Sequence, residues 1–75
     1  MEDNMIAIAM SELSISKDLA QKNIKALPEI NAYYFWDSNR GGKSIIINRS
    51  GEKLIAPSSI PLYQHIQAFV EGKRN

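Results

Sequence analysis

The sequence predicts a small α+β domain: a helix, a three-stranded antiparallel meander and a closing helix, with the helices packed on the sheet. Three observations carry this. The stretch up to Leu27 holds no glycine or proline and spaces apolar residues by three and four. Three short tracts of β-branched and aromatic residues follow, separated by two glycine-bearing turns. A last amphipathic tract then runs to Val70. The 75 residues suffice for one domain, 1–75. A domain of this size buries roughly 60% of its unfolded surface, so its core is thin.

Ile6, Met10, Leu13, Lys17, Ala20, Ile24 and Leu27 form one helical stripe, predicting helix over 3–27. Ile8, Ile15 and Leu19 lie off that stripe. One straight helix would then be apolar on two sides, and the extra side would meet another chain. That makes Ile8, Ile15 and Leu19 a candidate oligomer interface, with a homodimer as its simplest form. The alternative is a break at Ser14–Ser16, with Ser16 as N-cap and Asp18 in the new first turn. A break would fold the surplus into the core. Pro28 ends the helical tract, because the residue before a proline avoids helical geometry.

Ala32–Asp37 is a predicted aromatic strand, and Asn39–Gly42 a turn. Ser44–Asn48 is a second strand. Arg49–Glu52 is a tight turn in which Gly51 supplies positive φ. Lys53–Ala56 is a third strand, closed by Pro57. Ser58 or Ser59 can cap the last helix, with Pro61 in its first turn. Leu62, Ile66, Phe69 and Val70 make its apolar face. Gly72 stops it, and Lys73 and Arg74 suit the negative end of its dipole.

Composition excludes several kinds of chemistry. Hydrophobic residues at 44% and charged residues at 23% are ordinary for a globular chain and unlike disorder. The net charge of +1 is no whole-molecule footprint for nucleic acid. Basic residues do gather late, at Arg40, Lys43, Arg49, Lys53, Lys73 and Arg74. With no cysteine there is no disulfide and no thiolate site. No metal or other cofactor is expected: His65 is the one histidine, without the clustered ligands a zinc site needs. No run approaches the roughly 20 apolar residues of a membrane span, and Glu2 and Asp3 precede Met5–Met10 where a signal peptide carries positive charge. A cytoplasmic protein without membrane contact is the expectation. The sequon Asn48-Arg49-Ser50 carries no weight without a secretion signal.

Gly42-Lys43-Ser44 resembles the end of a phosphate-binding loop. That loop needs a glycine five positions before Gly42, where Asp37 stands, and a helix after Ser44, where Ile45-Ile46-Ile47 favours a strand. The stretch is a hairpin loop whose Arg40 and Lys43 can contact an acidic surface or a phosphate.

The run Tyr33-Tyr34-Phe35-Trp36 puts Tyr33 and Phe35 on one sheet face and Tyr34 and Trp36 on the other. One pair belongs to the core. The other is covered by the second helix or left as a binding surface. With Arg40, Lys43 and Arg49, the residues Tyr34 and Trp36 form the candidate partner-binding set. Trp, Tyr and Arg dominate protein interfaces, and aromatic rings beside cations also suit single-stranded nucleic acid. His65, with Arg40 or Lys43 steadying a phosphate, could form a small metal-independent nuclease centre.

The order helix, three strands, helix resembles that of double-stranded-RNA-binding domains. Their last helix opens with a lysine-rich run, whereas Ser59–His65 holds no Lys or Arg, so the resemblance covers element order and implies no function. The expected function is a non-catalytic protein-binding module, a small regulator of the kind seen among immunity proteins, antitoxins and phage inhibitors. Nucleic-acid binding through the 33–49 hairpin ranks second and the nuclease third.

Overall fold

The computed structural model describes residues 2–37, 42–57 and 59–74. Its elements are α1 (Glu2–Leu13), α2 (Lys17–Lys22), β1 (Ile24–Leu27), a 3-10 turn (Pro28–Ile30), β2 (Ala32–Trp36), β3 (Lys43–Asn48), β4 (Lys53–Pro57) and α3 (Leu62–Val70). The α+β class and the flanking helices follow the sequence expectation. The sheet has four antiparallel strands in the order β1-β2-β3-β4, one more than expected.

The extra strand comes out of the tract read as one long helix, which breaks at Ser14. The Ser14 backbone is left-handed, with φ 55°. The Ile15 N–H returns to the Met10 carbonyl at 3.2 Å, the six-to-one bond of a Schellman helix end. The Ser16 hydroxyl then accepts the Leu19 N–H at 3.1 Å and starts α2. Asn23 ends α2 by donating its N–H to the Leu19 carbonyl, while its own carbonyl accepts from the Trp36 N–H. From there Ile24 faces Phe35 and Leu27 faces Ala32 across an antiparallel pair. Ile24 and Leu27 therefore belong to a strand and not to the helical stripe that their spacing suggested. Beyond them Pro28 bars a helix, and β2 offers an open ladder.

Helices cover both faces of the sheet. Under α1 and α2, Phe35, Ile45 and Ile47 meet Met5, Ile6, Ala9, Leu13, Ile15 and Ala20 in one core. On the opposite face, Phe69 and Ile66 of α3 meet Leu27, Ala32, Ile46 and Leu54 in a second. β3 is the strand trapped between them, and Ser44 through Ile47 are all buried. That is why it reads as a continuous apolar run without alternation.

The break also redirects the surplus side chains. Ile15 is buried in the chain's own core, and Ile8 and Leu19 are half-buried against it. The expectation of a second chain at Ile8, Ile15 and Leu19 rested on a straight helix, and the bend removes that premise.

α3 begins after Pro61 in the N-cap position, two or three residues later than the expected caps Ser59 and Ser58. Ser58 lies outside the described residues. Its buried positions are His65 and Phe69, whereas Val70, expected on the apolar face, is 62% exposed. Gly72 ends it at φ 101°, and the Lys73 N–H returns to the Ala68 carbonyl, a second Schellman closure. Arg74 lies over the Phe69 ring, 3.8 Å from its centroid, and donates to the Phe69 carbonyl at 2.6 Å. Its Nε stands 3.6 Å from Glu52 in the β3–β4 turn. In that turn Gly51 takes φ 87°, and the Asn48 side chain bridges to Glu52 twice at 2.9 Å. No helix among the described residues is long and apolar enough to cross a membrane.

Candidate functional site

Alternation along β2 sends Phe35 to 0% exposure under α1 and α2. It sends Tyr34 and Trp36 to the α3 face, where both are half-buried. Their rings stack at 5.5 Å with 25° between planes. The Tyr34 hydroxyl donates to the buried Ser44 Oγ at 3.0 Å, which fixes the ring. α3 lies chiefly over β3 and β4; its Phe69 shares a core with Leu27 of β1 and Ala32 of β2, and the His65 ring meets Tyr34 edge-on at 5.8 Å. The Lys25–Tyr34–Trp36 end of the β1–β2 pair, beyond Leu27 and Ala32, thus carries an aromatic shelf that α3 borders at His65.

The structure does not gather the five residues of the expected partner-binding set into one patch. Lys43 opens β3 and sits one residue out of phase with Ser44, so its side chain belongs to the α1–α2 face. Arg49 follows the far end of β3, roughly 20 Å from Lys43 at about 3.3 Å per strand residue. There it lines a shallow depression with Ala26, Pro28 and Tyr33. Arg40 lies outside the described residues.

Among the described residues Lys25 is a cation that does share the shelf. It stands directly opposite Tyr34 in the β1–β2 register, on the same face, and is exposed. Sequence reasoning missed it because residue 25 fell inside the presumed helix. The signal that could have found it is the tract Ile24–Leu27 between Asn23 and Pro28, too short for a helix of its own.

His65 is 1% exposed. Its Nε2 donates to the Leu54 carbonyl at 2.8 Å, which fixes the tautomer because that oxygen can only accept. Nδ1 is then a buried acceptor with no hydrogen-bond partner among the described residues. Burial lowers the His65 pKa below 6.5, and the bond to the Leu54 carbonyl partly opposes that. A neutral imidazole closed to solvent holds a helix to a sheet; it has no route to a phosphate ester. Among the described residues no group of three or more His, Cys, Asp or Glu side chains could hold a metal ion.

Comparison with protein-family models, curated proteins and solved structures finds no match for this chain.

Proposed function

We propose that the chain is a non-catalytic protein-binding module that engages its partner through the aromatic shelf on the α3 face. The Tyr34–Trp36 stack with Lys25 beside it is the observation that carries this reading. Half-buried Tyr and Trp rings held rigid by the sheet lose little entropy on binding, which is why such residues anchor interfaces. The reading fits a small regulator that occludes another protein's site, as immunity proteins, antitoxins and phage inhibitors do. Its cationic rim would favour an acidic partner surface and speed encounter with it.

A photo-crosslinking residue at position 36, compared with one at exposed Tyr63 on α3, tests the assignment in producing cells. A defined protein adduct from position 36 that Lys25→Glu abolishes is the expected result. Equal adducts from both positions would place the contact elsewhere. The second reading, single-stranded nucleic acid on the same shelf, is favoured by the stacked rings alone. It requires oligonucleotide affinity that falls steeply between about 50 and 200 mM salt. A homodimer is tested by light scattering against the 8.4 kDa monomer mass.

A further inference from the structure

Among the described residues no strand lies beyond β1, the edge of the sheet that borders the aromatic shelf. We infer that the partner adds an extended strand to β1 and places an acidic side chain opposite Lys25. This deepens the protein-binding reading and rests on it.

Backbone phase comes first. The Trp36 N–H donates to the Asn23 carbonyl at 3.4 Å, and the register pairs Lys25 with Tyr34 and Leu27 with Ala32. In an antiparallel pair the hydrogen-bonded residues alternate, so Asn23, Lys25 and Leu27 turn their backbone groups toward β2. Ile24 and Ala26 turn theirs outward, where no hydrogen bond reaches them among the described residues. Lys25 and Ala26 are both exposed. The opposite edge is guarded: β4 ends in Pro57, which has no N–H to offer, and α3 is tied to that strand through His65 and Leu54.

Charge selects the occupant. If β1 paired with its own copy by exchanging the outward hydrogen bonds of Ile24 with those of Ala26, Lys25 would face Lys25 across the two-fold axis, a destabilising contact. Lysine at the centre of an edge strand blocks self-association in this way. A strand carrying glutamate or aspartate at that position turns the same contact into an attraction. Apolar side chains of that strand would lie beside Ile24 and Ala26 on the other face. Strand addition takes affinity from main-chain bonds and selectivity from such alternate side chains.

The probes are two capped seven-residue peptides, one alternating valine with glutamate and the other valine with lysine. Each is titrated into the full chain, with Trp36 emission and the amide exchange of Ile24 and Ala26 as readouts. The glutamate peptide is expected to protect both amides and to bind about three- to tenfold more tightly than the lysine peptide, the range that one cross-strand charge pair supports. Lys25→Glu should invert that preference. Ala26→Pro removes an outward N–H that the β1–β2 pair does not use. It should abolish binding while a thermal melt shows the fold retained, and Lys25→Glu serves alone if it does not fold. Binding that shifts Trp36 emission but leaves the two amides unprotected overturns strand addition and leaves the shelf as the docking surface. Equal affinity for both peptides overturns the acidic assignment. No response at millimolar peptide overturns the inference, and the crosslinking experiment then judges the parent reading separately.

Discussion

His65 and Leu54 are joined by a hydrogen bond from the imidazole Nε2 to the backbone carbonyl, 2.8 Å long. It holds α3 to β4, and burial of the ring, with Nδ1 unpartnered among the described residues, is what favours the neutral form. In the unfolded chain the imidazole protonates as pH falls through about 6.5, and in the folded protein only at lower pH. Between those two values the unfolded state binds more protons, so stability is full above pH 6.5 and declines as pH falls through the folded pKa. Urea denaturation followed by Trp36 fluorescence should show a lower midpoint at about pH 5.5 than at about pH 7.5, above the range where most carboxylates titrate. His65→Gln, with no titrating ring, should lose that difference. An unchanged pH slope in the variant would remove His65 as its source.

Helices α1 and α3 end with the same closure, but Gly72 fills the left-handed position after α3 and Ser14 the one after α1. A residue with a Cβ pays roughly 1 kcal/mol in that conformation. Ser14→Gly is therefore expected to raise stability by up to about 1 kcal/mol, and Ser14→Val to lower it by more. Denaturant midpoints measure both. A Ser14→Gly variant that is less stable would show that the serine side chain supports the bend.

Most elements were legible because their signals were local. Strands β2, β3 and β4 fall where aromatic and β-branched tracts lie between turns, and Gly51 and Gly72 take the positive φ their places demanded. β1 was not legible, since Ile24 and Leu27 continue a helical spacing, and four residues become a strand only by pairing with β2. The same error hid Lys25 and made Ile15 and Leu19 look surplus. Placing α3 on the opposite face from α1 required knowing that Ile45, Ile46 and Ile47 are all buried, which alternation alone does not reveal. Tyr34 and Trp36 were correctly set on one face, but Lys43 and Arg49, expected beside them, were close only in sequence.

In the β3–β4 turn, Asn48 donates from Nδ2 to Glu52 and accepts the Glu52 N–H at Oδ1, both at 2.9 Å. Asn48→Ala removes both bonds and frees the turn that Arg74 also approaches. The expected loss is about 1 kcal/mol, since the groups are exposed and water replaces the partners. Asn48→Asp keeps the acceptor toward the Glu52 N–H but sets two carboxylates together, so it should be no better than alanine at neutral pH and improve at lower pH. A neutral effect of Asn48→Ala in denaturant melts would mean that the turn is held by its backbone and Gly51 alone.

Phe35 and Trp36 are sequence neighbours on opposite faces, and their truncations should differ sharply. Phe35 is 0% exposed in the α1–α2 core, where Phe→Ala typically costs about 3–5 kcal/mol. A domain of this length has roughly 4–11 kcal/mol in all, so Phe35→Ala should leave a substantial unfolded fraction. Trp36 is half-buried on the shelf, so Trp36→Ala should cost about 1–2 kcal/mol and keep the fold. Lys25→Ala, on an exposed edge, should change stability by less than about 0.5 kcal/mol. Circular dichroism melts of the three variants test the ranking. If Trp36→Ala proves as damaging as Phe35→Ala, the shelf is part of the core and the binding role assigned to it loses its ground. If Trp36→Ala and Lys25→Ala fold normally, any loss of partner binding they cause reports on the interface itself.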